Sequence, residues 1–271
     1  MNNLTIESRM VDIGTQDRGR APVEVCEAGQ GPDLVFLHGA GGLMPNDRFF
    51  LALAEQFRVH APLLPGYGNS EGEDALKDML DTTLHTGDVI DALGLTGAPL
   101  VGHSMGGMIA AELAALAPND VGQLVLIAPA GLWLDEHPVE DLFAKLPFEL
   151  PALLFHDVAL GESLMTAGMD LEDPEFLAEF LIISARRLGM AGKILFPIPD
   201  RGLSRRLYRI KAKTLILWGA NDKLINPIYG DAFAAGIANS ALKVIPEAGH
   251  LVNQEKPAAL VDAIATLVNA G

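Results

Sequence analysis

The amino-acid sequence predicts an α/β fold: a mostly parallel sheet with helices on both faces. Three observations carry this expectation. Runs such as Asp33-Leu-Val-Phe-Leu-His and Gly122-Gln-Leu-Val-Leu-Ile-Ala are continuously apolar, as strands covered on both faces of a parallel sheet are. They alternate with segments of helical period, the order that builds strand–helix–strand units. Finally, the short run Pro99-Leu-Val-Gly-His turns directly into a helical pattern (Met108, Ile109, Leu113, Leu116), and Ser104 sits on the corner.

In chain order, Val23-Glu-Val-Cys-Glu-Ala alternates like an antiparallel strand near an edge. The strand from Asp33 empties into a glycine-rich loop, His38-Gly-Ala-Gly-Gly. Phe49 to Phe57 is expected as a helix, Arg58-Val-His-Ala-Pro as a strand, and Leu64-Pro-Gly-Tyr-Gly-Asn-Ser as a turn-rich loop. A long helix over Met79 to Leu93 precedes the central strand and Ser104, and the strand from Gly122 follows. The alternation stops after Gly131. Residues 132–209 hold prolines, loops and two apolar helical patterns, Leu142 to Leu154 and Glu175 to Leu188, which predicts a helical insertion. Lys213-Thr-Leu-Ile-Leu-Trp-Gly resumes as strand, Ile228 to Gly236 as helix, Leu242-Lys-Val-Ile-Pro as strand, and Pro257 to Val268 as a closing amphipathic helix. The expected division is therefore a core of residues 1–131 and 210–271 with 132–209 inserted.

Composition narrows the function. A formal charge of -16 and a pI near 4.7 oppose binding to nucleic acid or anionic membrane. No apolar run approaches the roughly eighteen residues that span a bilayer. Met1 to Arg9 lacks the basic start and apolar core of a signal peptide, and the single cysteine, Cys26, permits no internal disulfide. These features fit a cytoplasmic protein whose partner is a small-molecule substrate, with homo-oligomerisation left open. No paired His or Cys spacing suggests a metal. Gly39-x-Gly41-Gly42 lacks the glycine spacing of a dinucleotide site, so no cofactor is expected.

Gly102 and Gly106 flank Ser104 at minus two and plus two, the G-x-S-x-G spacing. A corner between strand and helix strains the serine backbone, exposes its hydroxyl, and places helix N–H groups behind it. Serine is a poor nucleophile until a base takes its proton, and the base needs an acid to fix its tautomer. In open parallel sheets such groups gather at the C-terminal ends of strands. His250 lies just past the strand ending near Pro246. Its plainer alternative is a structural histidine. His103 is expected to point away from the serine, and His38 to brace the glycine loop. For the acid, Asp222 in Trp218-Gly-Ala-Asn-Asp ends a strand, with Asp135 or Glu136 as the other option; Gly-x-Asn-Asp is also good turn chemistry. The N–H groups of Met105 and Ala40 are the candidates for an oxyanion pocket.

Taken together, His38-Gly-Ala-Gly-Gly, Pro65-Gly-Tyr-Gly-Asn-Ser, Gly102-His-Ser-Met-Gly-Gly, Trp218-Gly-Ala-Asn-Asp and Gly249-His resemble the α/β-hydrolase fold family over essentially the whole chain. The resemblance implies an eight-stranded sheet, a cap over the site, Ser104 as nucleophile, Asp222 as acid and His250 as base. Within the serine enzymes the chain is similar to the carbon–carbon bond hydrolases of aromatic ring fission, through Ile210-Lys-Ala-Lys-Thr and the Gly-His-x-x-x-x-Glu ending at Glu255. It departs from them at Leu251, where those hydrolases usually have tryptophan. Carboxylesterases or lactonases of small apolar substrates fit equally, and a ligand-binding receptor on this fold is the alternative from another class.

Between Arg186 and Lys213 there are nine basic residues and one acidic residue, Asp200. Arg186 and Arg187 follow an apolar helical run, so one of them turned inward could hold a substrate carboxylate through its two-pronged guanidinium. The plainer expectation is a solvated face at a helix C-terminus.

Overall fold

The computed structural model describes residues 4–13, 21–167, 169–170 and 172–270. Eight strands form one sheet: β1 (Glu7–Val11), β2 (Val23–Ala28), β3 (Asp33–Leu37), β4 (Arg58–Pro62), β5 (Leu100–His103), β6 (Gln123–Ile127), β7 (Lys213–Gly219) and β8 (Ser240–Ile245), in the spatial order β1-β2-β4-β3-β5-β6-β7-β8. β1 and β2 run antiparallel to their neighbours, and every other pairing is parallel. β1 lies outside β2, so β2 is antiparallel and near the edge, as expected, with β1 as the edge strand. The alternation of Glu7-Ser-Arg-Met-Val is too short and polar to announce a strand; its pairing with β2 makes it one.

The continuous apolar runs divide their side chains between two layers. Leu34 and Phe36 of β3, Val101 of β5, Val125 and Ile127 of β6 and Leu217 of β7 pack on the face covered by α1 (Arg48–Ala54) and α9 (Pro257–Asn269). Val35, Leu37, Leu100, Leu124, Leu126, Ile216 and Trp218 pack on the opposite face, beneath α2 (Met79–Ala92), α3 (Met105–Leu116) and α7 (Ile228–Gly236). Successive strand residues point to opposite faces, so a strand with helices on both sides must be apolar throughout.

α3 is the central helix, buried from Met105 to Ala115. Its one acidic residue, Glu112, is 2% exposed and would be costly without a partner. Arg206 supplies it, with Nε and Nη2 at 2.9 and 2.5 Å from the carboxylate oxygens.

Between β6 and β7 the described residues form no strand. This segment holds α4 (Leu150–Leu154), α5 (Val158–Met165) and α6 (Pro174–Leu195). The expected helix over Leu142 to Leu154 is instead two single 3₁₀ turns followed by α4, because Pro147 and Pro151 cannot donate the backbone hydrogen bonds of a continuous helix. α6 runs past Leu188 to Leu195, and its last turns bury Met190, Ala191 and Ile194.

The basic residues of this segment attach it to the core. Arg186 grips Glu73 and the Ser70 carbonyl, Lys193 donates to the Glu73 carbonyl at 2.5 Å, and Arg209 donates to the Ala115 carbonyl at 2.7 Å. They replace the solvated face expected from sequence with a seam between insertion and core. Cys26 is partly buried, and burial, then the nearby Glu24 charge, pushes its thiol up to about 11, so it stays protonated.

Candidate active site

Ser104 stands between β5 and α3 with φ 53° and ψ −113°. A non-glycine residue in that region costs on the order of 1–3 kcal/mol, and the strain persists only where packing enforces it. The neighbours show how. A Cβ on Gly102 would run into the Gly106 carbonyl, and one on Gly106 would run into the carbonyl oxygens of Leu37 and His38. Only glycine at both places lets α3 start so close to β3 and β5. The Ser104 N–H is tied to the Ile127 carbonyl at 2.9 Å and its carbonyl accepts from the Ala130 N–H, which locks the corner.

The structure brings together the residues that the sequence places far apart. Ser104 Oγ lies 2.9 Å from His250 Nε2, and His250 Nδ1 lies 2.8 Å from Asp222 Oδ2. All three are buried. A carboxylate only accepts, so His250 donates from Nδ1 and leaves Nε2 as the acceptor for the serine hydroxyl. That tautomer is the one that can take the serine proton.

Asp222 also does the turn-forming work that its sequence context suggests. Its Oδ1 accepts from the N–H groups of Leu224 and Ile225, both at 2.9 Å, while Oδ2 accepts from His250 and from Trp218 Nε1. The other acidic candidates lie elsewhere: Asp135 is exposed and accepts from Trp133 Nε1, and Glu136 is exposed.

Met105 opens α3, so its N–H is among the first-turn groups without an intrahelical partner, and Ala40 lines the same cavity as Ser104. The glycine loop that carries Ala40 is held from three sides. His38 Nε2 accepts from the Leu64 N–H, which places its proton on Nδ1, and Nδ1 donates to the Gly39 carbonyl at 2.8 Å. Tyr67 Oη donates to the Ala40 carbonyl at 2.9 Å. Burial drives His38 down to about 4, so it braces the loop as a neutral ring.

Three features escape the sequence reading, and the role of a fourth residue, Glu255, is new. His103 does not turn away from the site: its Nε2 donates to the His250 carbonyl at 3.1 Å, and burial, followed by the adjacent His250 ring, lowers it to about 3. Trp218 Nε1 donates to Asp222 at 3.1 Å. Glu255 accepts from the N–H groups of Gly249, His156 and Asp157, tying the insertion to the loop that carries His250. Gly249 makes this contact possible, since a Cβ there would meet the Leu154 carbonyl oxygen at 2.7 Å. Last, Asn253 and Gln254 follow the base on a short helix, α8 (Val252–Glu255), and line the cavity. The chain resemblance marked Glu255; nothing in composition or period marks the others.

The cavity has a volume of about 70 Å³. Leu142 and Leu154 of the insertion, Leu43, Leu224 and Leu251 make much of it apolar. Arg186 and Arg187 are not among its lining residues. The Arg186 guanidinium is engaged by Glu73, whereas Arg187 packs along the glycine loop, with Nη1 3.4 Å from the Gly41 carbonyl and a buried, unpartnered Nε. Among the described residues, no cluster of His, Cys, Asp and Glu could hold a metal, and no helix is long and apolar enough to cross a membrane.

A strained serine at a strand–helix corner, aligned with a histidine and a carboxylate from later strand ends, defines a class of α/β enzyme. The family model described as alpha/beta hydrolase family matches residues 34–263, and the chain belongs to that family. It is 28% identical to a 2-hydroxy-6-oxo-6-phenylhexa-2,4-dienoate hydrolase of Burkholderia cepacia, over 92% of this chain and 91% of the relative. It is 29% identical to the enzyme of the same name from Comamonas testosteroni, over 92% of both chains. Among solved structures, a serine hydrolase from the polyaromatic hydrocarbon-degrading bacterium Cycloclasticus zankles superposes with a TM-score of 0.77 at 20% identity, covering 98% of this chain and 99% of that one. A serine hydrolase involved in carbazole degradation superposes with a TM-score of 0.75 at 22% identity, covering 98% and 100%. The protein is thus an alpha/beta hydrolase close to the hydrolases that cleave carbon–carbon bonds of ring-fission products.

Proposed function

We propose that the protein hydrolyses a small, largely apolar carbonyl compound through Ser104, His250 and Asp222. The substrate class that its relatives favour is a ring-fission product of the 2-hydroxy-6-oxo-dienoate type, cleaved at a carbon–carbon bond. The observation that carries the reading is the continuous hydrogen-bonded line from Ser104 Oγ through His250 to Asp222.

In this mechanism His250 takes the Ser104 proton as Oγ attacks the carbonyl carbon, and Asp222 steadies the imidazolium. The N–H groups of Ala40 and Met105 hold the tetrahedral oxyanion. His250 then protonates the departing group, whether carbanion or alkoxide. The acyl-serine is released by a water that His250 activates in turn. Neither a metal nor a cofactor enters any step. The same machinery cleaves esters, and the small cavity with Leu251 beside the base favours compact substrates of either kind. Of the two arginines, Arg187, packed along the glycine loop with an unpartnered Nε, is the candidate for a dienoate carboxylate, since the Arg186 guanidinium is held by Glu73.

The test is a side-by-side assay of 2-hydroxy-6-oxo-dienoates bearing methyl, isopropyl and phenyl groups against 4-nitrophenyl esters. Turnover of a dienoate well above the best ester supports the carbon–carbon assignment. Esters alone being turned over assigns an esterase, and binding without turnover of either class assigns a receptor.

A further inference from the structure

Two amide side chains stand in the wall of the Ser104 cavity. Gln254 is 2% exposed and Asn253 3% exposed, and both line the cavity that contains Ser104 and His250. The orientation of Gln254 is fixed by a neighbour. Asp47 is a buried carboxylate whose Oδ1 accepts from the N–H groups of Phe49 and Phe50 and so caps α1, and whose Oδ2 accepts from Gln254 Nε2 at 2.8 Å. A carboxylate accepts only, so the Gln254 amide nitrogen must face Asp47 and its oxygen must face away. That oxygen, Oε1, is buried without a partner, and so is Asn253 Oδ1.

Two orphaned acceptors on consecutive residues of a buried wall are expensive unless something donates to them. The protein could have avoided the cost with leucine, which it uses at Leu142, Leu154, Leu224 and Leu251 around the same cavity. A second carboxylate is disfavoured against this wall, because the Asp47 carboxylate already lies behind it and the Gln254 amide oxygen is turned away from Asp47. A purely apolar substrate end would leave both oxygens unpaired.

We propose that Asn253 and Gln254 form a hydrogen-bond acceptor subsite that selects substrates carrying a hydroxyl, or another neutral N–H or O–H donor, at the end remote from the scissile carbonyl. The inference deepens the proposed hydrolase reading and rests on it for the identity of the cavity. It separates this chain from any relative that places a substrate carboxylate against the same wall.

Binding to the Ser104→Ala protein tests it without turnover. Two matched pairs serve as probes: 4-nitrophenyl 3-hydroxybutyrate against 4-nitrophenyl butyrate, and 2-hydroxyethyl butyrate against propyl butyrate, so that both sides of the ester are sampled. Titration calorimetry should show the hydroxyl ester of at least one pair binding roughly tenfold more tightly, the worth of one good hydrogen bond. Asn253→Leu in the same background should erase that ratio and raise Tm, since it removes an orphaned acceptor without breaking a bond that the fold uses. Gln254→Met should also erase the ratio, though it releases Asp47 and costs stability. Equal affinities within both pairs overturn the proposal. So does a ratio that survives Asn253→Leu with a lowered Tm, which would mark the two amides as holders of structural water. Hydrolysis of the butyrate esters by the wild-type protein is read separately, so failure of the subsite and failure of the hydrolase reading are distinguishable.

Discussion

Asp222 Oδ2 lies 2.8 Å from His250 Nδ1 while its Oδ1, through two backbone N–H groups, holds the turn after β7. One carboxylate therefore fixes both its own position and the tautomer of the histidine. Substituting it by asparagine keeps Oδ1 as an acceptor for the turn but places an amide N–H against His250 Nδ1. The ring must then take the opposite tautomer and present an N–H to Ser104.

Asp222→Asn should lower Tm only modestly, since the amide nitrogen then faces Trp218 Nε1 but that donor keeps the Ile225 carbonyl, and should lower kcat on the order of ten-thousandfold. Asp135→Asn, at an exposed residue paired with Trp133, should lower it less than twofold. Steady-state kinetics and thermal melts of the two variants check this; the opposite ranking would place the acid after β6.

The two buried histidines make stability depend on pH. Burial lowers His38 to about 4 and His103 to about 3 in the folded protein, against 6.5 for a free imidazole. Above pH 6.5 both states hold them neutral, so they add no pH dependence. As pH falls below 6.5 the unfolded chain takes up protons that the folded protein refuses, and stability is lost. By pH 5 the loss is about 2 kcal/mol for each ring. Urea unfolding of wild type and His38→Gln should show their stability difference narrowing by about that much between pH 7 and pH 5. A difference constant with pH contradicts a buried neutral His38.

Glu255 holds the insertion against the base loop through three backbone N–H groups. Glu255→Ala should cost about 2 kcal/mol, make the chain around His156 more accessible to limited proteolysis, and raise KM more than it lowers kcat. Glu255→Gln, which keeps one acceptor oxygen, should fall between. Unchanged proteolysis in the alanine variant would show that other contacts keep the insertion in place.

The sheet was legible because its strands are buried on both faces, which leaves continuous apolar runs such as Leu124 to Ile127 bounded by turns. The Ser104 corner was legible because only glycine fits at Gly102 and Gly106, so steric necessity left a mark in the sequence. β1 was not, since its strand character comes from pairing with β2 and not from its own residues. His103 and Trp218 were missed for a related reason. His103 serves the site through a hydrogen bond made across the fold to the His250 carbonyl, 147 residues away, which no local pattern encodes; Trp218 donates to Asp222 only four residues on, but its apolar strand run marks the indole as core and not as a donor to that carboxylate. The basic stretch from Arg186 onward was legible as charge but not as a seam, because its partners Glu73 and Glu112 lie on other elements.

The most direct measurement is turnover by Ser104→Ala on whichever dienoate or ester the wild type hydrolyses best. The mechanism predicts a loss as large as roughly a millionfold with the fold and Tm retained, and no acyl adduct on the intact protein by mass spectrometry. A Ser104→Ala protein that keeps a tenth of wild-type turnover would show that the hydroxyl at the β5–α3 corner is not the nucleophile.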